Sequence, residues 1–132
     1  MTAARERRTG GGAGREVRVR RVYDPPEPED GTRVLVDRLW PRGLAKDAAH
    51  LDMWCKEVAP SAELRRWFGH RSERFAEFTE AYRAELAEPA REEALRDLLD
   101  RAGKGPLTLL TASKNPDESH VAVLLEAVRR AH

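Results

Sequence analysis

The alternation of hydrophobic and polar residues predicts two strands in the first third of the chain and one near its end. In residues 17–23, valines alternate with arginines, which is typical of a half-exposed strand. Residues 33–37 and 106–111 are short apolar runs, as expected of strands buried inside a parallel sheet. Residues 52–56 are also predicted to be extended, from a weaker pattern. The proline-rich residues 24–31 are expected to form a loop.

Helical spacing dominates the second half of the chain. Ser61 is placed to cap a short helix, and a longer helix is predicted from about residue 72 to residue 88, where Pro89 ends or kinks it. A third helix ends at Gly103, and a fourth begins at Asn115, which is followed by helix-start residues. The predicted buried faces are Leu64, Trp67 and Phe68; Phe75, Phe78, Tyr82 and Leu86; Leu95, Leu98, Leu99 and Ala102; and Val121, Leu124, Leu125 and Val128.

This order of elements predicts an α/β fold, with a small, mostly parallel sheet flanked by helices in a single compact domain. The length of 132 residues and the 40% apolar share fit one such domain. The single cysteine cannot form an internal disulfide, which favours a reducing compartment. No window approaches the ~18–20 apolar residues of a membrane span, and the start lacks a signal-peptide pattern. We therefore expect a cytoplasmic protein without a membrane partner.

Charge is distributed unevenly along a chain whose formal net charge is only +1. Residues 1–21 hold seven arginines against two glutamates. Residues 1–15 also contain a glycine run and almost no apolar side chain, which predicts a disordered basic arm ahead of an α/β domain at residues 16–132. Such an arm can contact nucleic acid or an acidic partner, and the simpler interpretation is a solvated leader without a partner.

One string in the chain is specific enough to suggest a family. Residues 33–44 read Arg-Val-Leu-Val-Asp-Arg-Leu-Trp-Pro-Arg-Gly-Leu, and they resemble the YeaO-like family, classed as domain of unknown function 488. Further similar blocks are residues 22–24, 51–54, 56–61, 64–70 and 108–114 with His120. The resemblance covers roughly residues 16–130 and brings no established reaction with it. Ser119 departs from it, because the family commonly has Asn at this position.

Two predicted strand ends are unusually polar, and ligands of α/β sheets bind beyond the carboxyl ends of strands. The second of these ends leads into a predicted helix N-terminus, which offers amide groups to an anion. The candidate ligand-binding residues are Arg38, Trp40, Arg42, Gly43, Ser113 and Lys114. Arginine suits a bidentate grip on phosphate or carboxylate, glycine lets the backbone approach a ligand, and Trp40 in the loop can contact the ligand. The alternative is structural: Asp37 pairs with an arginine, and Lys114 caps a helix or faces solvent.

Asp37 and His120 are the candidate catalytic residues. His120 is expected in the second turn of the last helix, facing the same strand end as Lys114, where an imidazole can act as a general acid or base. A polar role at the edge of the core is the alternative. His70 is interpreted as a helix-end residue whose imidazolium favours the helix dipole, and Cys55 as a small core hydrophobe.

The sequence carries no spacing typical of a zinc site and no glycine-rich nucleotide loop, so no metal and no cofactor are predicted. Two functions remain open. The first is an enzyme or small-ligand protein with a pocket for a small anionic ligand, phosphate- or carboxylate-bearing and including nucleotide-like compounds. The alternative is a nucleic-acid-binding or regulatory module that uses the basic arm. The sequence indicates no oligomeric state.

Overall fold

Four parallel strands form the centre of the computed structural model, which describes residues 16–131. The strands are β1 (Val17–Arg21), β2 (Thr32–Leu35), β3 (Met53–Trp54) and β4 (Leu107–Thr111), in the order β1-β4-β2-β3 across the sheet. The predicted α/β fold with a small sheet is confirmed, and all pairings among these strands are parallel. The predicted basic arm, residues 1–15, lies outside the described residues.

The last strand in the chain is the central one. β4 lies between β1 and β2, so that Leu109 is opposite both Val19 and Val34. Every residue of β4 is buried, which explains why its sequence is apolar throughout instead of alternating. The weaker segment predicted at residues 52–56 contains β3, which pairs Met53 with Val34 at one edge of the sheet.

Five α-helices surround this sheet in the described part of the chain. They are α1 (Lys46–Ala49), α2 (Ala62–Phe68), α3 (Phe75–Leu86), α4 (Pro89–Ala102) and α5 (His120–Arg130). Ser61 caps α2 as predicted, with its hydroxyl accepting from the Leu64 amide. Pro89 occupies the first turn of α4, where its missing N–H is not needed. None of the helices between residues 16 and 131 combines the length and apolar character needed to cross a membrane.

The start of the last helix was predicted wrongly. Residues 116–118 form a separate 3₁₀ turn, and α5 begins only at His120. Two local contacts end that turn: the Asn115 amide group bonds Glu118, and Pro116 accepts from both the amide and the hydroxyl of Ser119. Ser119 then caps α5 by accepting from its second residue. His120 is therefore the first residue of α5, not a residue of its second turn.

The two faces of the sheet are covered differently. Val34 and Leu109 belong to the main core, which contains buried residues of α2, α3, α4 and α5. Leu35 and Leu110 point to the opposite face, where loop residues such as Trp40 pack against them. Helices and loops thus meet above the carboxyl ends of the central strands, and the candidate site lies there.

One predicted core residue is exposed, and three others, Leu64, Phe75 and Leu125, are only partly buried against the core. Trp67 was assigned to the apolar face of α2, but 39% of it is exposed. Phe68, its neighbour, fills the core position of this seven-residue helix. The Trp67 ring instead lies beneath the Arg74 guanidinium, whose carbon is 5.0 Å from the ring centroid.

The loop between β1 and β2 is fastened by a buried carboxylate. Asp30 is only 1% exposed and pairs with Arg18 at 3.1 Å, Arg20 at 3.0 Å and Arg33 at 2.6 Å. It also accepts from the Glu27 amide. Burial alone would raise the pKa of Asp30, but the Glu27 amide and the guanidinium groups of Arg33 and Arg20 outweigh it and lower the pKa below its usual value.

Candidate ligand-binding cleft

Asp37 joins the carboxyl ends of the two central strands. It follows β2 by two residues, and the Val36 amide still donates to the carbonyl oxygen of Leu110 on β4. Asp37 Oδ1 accepts from Thr111 Oγ1 at 2.8 Å, and Oδ2 accepts from the Ala112 amide at 2.8 Å. Asp37 is therefore bound to the end of β4, and not to an arginine of the described residues.

The His120 ring completes this cluster. Its Nε2 lies 3.2 Å from Asp37 Oδ1 and 3.1 Å from the carbonyl oxygen of Val36. Both oxygens are acceptors, so the network assigns the ring hydrogen to Nε2 and leaves Nδ1 outside these contacts. Only 15% of each of the two side chains is exposed. The structure thus brings together Asp37 and His120, the two candidate catalytic residues.

Asp37 is held in its ionised form. Burial would raise the pKa of its carboxyl group, but the hydrogen bond and charge of His120 lower it, as do the hydrogen bonds from Ala112 and Thr111. The net result is a pKa below the usual value for aspartate. A carboxylate in this state accepts hydrogen bonds at neutral pH and has no proton to give.

A cleft of about 270 Å³ opens beside the Asp37–His120 pair. Its lining includes six of the eight predicted site residues: Asp37, Arg38, Trp40, Arg42, Ser113 and His120. The rest of its wall is formed by Leu39, Pro41, Ala59, Pro60, Arg65, Phe68, His70, Phe78, Thr111, Ala112 and Ser119. The cleft lies at the carboxyl ends of β2 and β4, and ligands of α/β sheets bind beyond the carboxyl ends of strands.

Two of the predicted residues do not line the cleft. Lys114 is exposed and outside its lining. Gly43 is also outside it, and a Cβ placed there would meet nothing within 4 Å. Its φ of +76° shows instead that glycine serves the turn that ends the loop.

The amides expected to receive an anion already have partners. The Ser113 amide donates to Thr111 Oγ1, and the Asn115 amide donates to Ser113 Oγ. The Val121 amide donates to the Ser119 hydroxyl. Capping by the protein's own side chains therefore occupies these three groups, so charged side chains are the better candidates for holding an anion.

Aromatic side chains hold the loop of residues 37–43 at both ends. Trp54 Nε1 donates to the carbonyl oxygen of Asp37 at 2.8 Å, and Tyr23 Oη donates to that of Arg42 at 3.3 Å. The backbone of the loop is thus fixed at its first residue and near its last, so the positions from which Arg38 and Arg42 extend are set before any ligand arrives.

Trp40 is fixed within the same loop. Its Nε1 donates to the carbonyl oxygen of Leu44 at 2.7 Å, and its ring meets the Trp54 ring edge to face, with centroids 5.3 Å apart. Because the indole N–H is already used, Trp40 offers the cleft an apolar ring surface.

Basic side chains without a carboxylate partner surround the cleft. Arg38, Arg42 and Arg65 line it, and within residues 16–131 no carboxylate pairs with any of them. Many other arginines in that range do have such partners, among them Arg18, Arg20, Arg33, Arg83, Arg91, Arg96, Arg101 and Arg130. His70 adds a fourth basic group at the same cleft. The arrangement offers uncompensated positive charge to a ligand.

Arg65 and His70 were not among the predicted site residues. Both come from α2 and the turn after it, far from the strand ends in sequence. His70 follows Gly69, and both have a positive φ, 59° for His70, in the turn after α2. The resemblance block at residues 64–70 was the only sequence signal that pointed to this region.

A carboxylate on α3 holds α2 in place against the cleft. Glu85 accepts from both the amide and the hydroxyl of Ser61, at 2.8 and 2.6 Å. Arg91 on α4 donates to the carbonyl oxygen of Ala59, on the same wall. The helix that carries Arg65 is therefore tied to α3 and α4 through the residues just before it.

The hydroxyl groups of the cleft make contacts within the protein: Thr111 donates to Asp37, Ser119 donates to Pro116, and Ser113 accepts from the Asn115 amide. The thiol of Cys55 is buried outside the lining, and burial raises its pKa to about 11, as expected of a core residue. The geometry is suited to holding a ligand.

A family model described as the inactive DUF488-N3 subclade matches residues 16–132. The chain belongs to the DUF488 family. This agrees with the resemblance found in residues 33–44 and in the blocks that follow them. The DUF488 match covers the whole sheet and the cleft.

Two uncharacterized proteins illustrate the similarity within DUF488. Uncharacterized protein YeaO of Escherichia coli strain K12 is 48% identical over 113 residues, which cover 86% of this chain and 96% of that protein. Uncharacterized protein Rv3073c of Mycobacterium tuberculosis strain H37Rv is 48% identical over 110 residues, or 83% and 91% of the two chains. No solved structure matches.

Proposed function

We propose that the cleft binds a small compound bearing a phosphate or carboxylate group, and that the protein holds this compound without converting it. The observation that carries the proposal is the set of arginines around the cleft, Arg38, Arg42 and Arg65, which have no carboxylate partner in residues 16–131. Arginine presents a planar fork of donors that matches phosphate and carboxylate geometry.

The negative charge of Asp37 does not replace such a ligand. Its two oxygens already accept from Thr111, Ala112 and His120, and the last of these contacts is at 3.2 Å. The arginines therefore keep their attraction for an anion. In this proposal Asp37 and His120 hold the strand ends and α5 together and form the floor of the site.

Two independent observations support binding without turnover. Thr111 and Ser119 donate their hydroxyl hydrogens to Asp37 and Pro116, and His120 Nε2 is bound to Asp37 and Val36, so no hydroxyl of the described cleft is hydrogen-bonded to the His120 ring as a nucleophile would be to its base. The family model that matches the chain is described as inactive. A binding role fits both observations.

The test is a titration of the ¹⁵N-labelled protein with inorganic phosphate and with acetate, against sodium chloride of equal ionic strength. We expect amide shifts concentrated at residues 37–43 and 111–115. Arg38→Gln should weaken binding about tenfold or more, the effect of losing a charge-assisted hydrogen bond. Arg66→Gln is the matched control, because Arg66 is exposed on α2 outside the cleft lining. Shifts spread over the surface, or equal losses in both variants, would contradict the proposal.

A further inference from the structure

The apolar walls of the cleft and its charged side chains are suited to two different parts of one ligand. Building on the proposed function, we infer that the ligand is an aryl phosphate or aryl carboxylate: a flat apolar ring that enters the cleft and an anionic group that stays with the arginines. The inference rests on three observations, namely the apolar walls, the partners that several polar groups of the floor already have, and the size of the space.

The walls are apolar and rigid. Trp40 and Phe68 line the cleft together with Pro41 and Pro60. The Phe68 ring stacks on Phe78 with centroids 4.4 Å apart, so it is held in position from behind. Aromatic and proline side chains at these positions give a flat ring extensive contact at little cost in side-chain entropy.

Several polar groups of the floor already have partners. Besides the oxygens of Asp37, the carbonyl oxygens of Ala112 and Ser113 accept from Arg21 at 3.1 Å each. The carbonyl oxygen of Ala59 accepts from Arg91 at 3.2 Å. A ring with donors and acceptors around its edge, such as a nucleobase, would lose hydrogen bonds to water and find few replacements here. An apolar ring has no hydrogen bonds to water to lose when it enters the cleft.

The available space suits a ligand with a single ring system. The cleft has a volume of about 270 Å³, just below the roughly 300–1,000 Å³ range of small-molecule sites. The side chains of Arg38, Arg42 and Arg65 are exposed, so they meet the ligand at the solvent side. This places the anionic group at the mouth and the ring inside.

Three ligands of similar charge test the inference on the unmodified protein: phenyl phosphate, methyl phosphate and adenosine monophosphate, with binding followed by tryptophan fluorescence and by calorimetry. We expect phenyl phosphate to bind roughly tenfold or more tightly than methyl phosphate, because only it buries a ring. We also expect it to bind at least as tightly as adenosine monophosphate.

The outcomes separate this inference from the proposed function. Equal affinities for phenyl and methyl phosphate would overturn the inference and leave the anion site standing. Much tighter binding of adenosine monophosphate would overturn it in favour of a nucleotide. Failure of all three to bind would contradict both proposals.

A pair of tryptophan variants locates the ring. Trp40→Leu should remove most of the preference for phenyl over methyl phosphate, whereas Trp67→Leu, at an exposed tryptophan outside the cleft lining, should keep it. Equal preferences in the two variants would show that the ring does not meet Trp40. The ligand series above does not depend on whether Trp40→Leu folds.

Discussion

A single carboxylate, that of Asp37, holds three parts of the molecule together: the end of β2, the end of β4 and the start of α5. All its partners are donors, namely Thr111, the Ala112 amide and His120. Three donors stabilise the ionised carboxylate of Asp37 more than its protonated form, which accounts for its lowered pKa. Asp37 was singled out by its place after an apolar strand, and its structural importance follows from the contacts it makes there.

We expect Asp37→Asn to lower the free energy of unfolding by about 1–3 kcal/mol, since the new amide group turns a donor toward a donor. The measurement is urea denaturation at pH 7. Asp47→Asn is the control, because Asp47 is exposed on α1 and outside the ion pairs of the described chain. If both variants are equally stable, Asp37 does not hold the strand ends as described.

The elements that the sequence predicted correctly are decided locally, as for β4, whose apolar run predicted a buried strand. The structure places the polar residues after β2 along one side of the cleft, and their role in binding stays a prediction. Arg65 was missed because it approaches the strand ends only after α2 packs on α3 through Ser61 and Glu85. No local pattern encodes that contact.

At the scale of elements, two predictions about the helices were wrong, and each has its own physical cause. Asn115 and the residues after it carry genuine helix-start signals, but one 3₁₀ turn uses them, and Ser119 starts the helix anew. Trp67 has the spacing of a core residue, but α2 is short and Phe68 takes the buried position. At Asn115 the local cap formed by Ser119 decided the outcome, and at Trp67 the packing of Phe68 in the core did.

The loop between β1 and β2 depends on Asp30, and its stability should depend on pH. The folded-state pKa of Asp30 lies below its unfolded value of about 3.9. Its contribution is therefore fully present above that value and is lost as pH falls through the folded pKa. We expect the stability of the protein to decline below about pH 4, as followed by denaturation at a series of pH values.

Asp30→Asn should reduce that acid dependence and cost about 3–5 kcal/mol at pH 7, because it leaves the buried guanidinium of Arg33 without its carboxylate. Glu29→Gln is the matched control at an exposed neighbour. An unchanged pH profile in Asp30→Asn would show that other carboxylates cause the acid sensitivity.

At the scale of the whole molecule, the family match, the sheet and the cleft all lie within residues 16–132. Among residues 16–131, those that line the cleft fall between Asp37 and His120, and those that fasten its loops begin with the strand β1. The function proposed for the cleft is argued from these residues alone. The alternative function, nucleic-acid binding, was inferred from the arginines in residues 1–15.

Removing residues 1–15 separates the two functions. If the cleft is the site, the shortened chain should keep its affinity for inorganic phosphate and should melt within about 2 °C of the full chain, as expected when roughly 0.5 kcal/mol or less is lost. The measurements are a melting curve and a phosphate titration of both chains, together with binding of a single-stranded oligonucleotide at two salt concentrations.

An arm that binds nucleic acid would give the full chain an oligonucleotide affinity that falls steeply as salt rises, because bound arginines release counterions from the phosphates. The shortened chain would lack that affinity. Loss of phosphate binding on truncation would instead place the arm in the site and contradict a cleft formed by residues 37–120 alone.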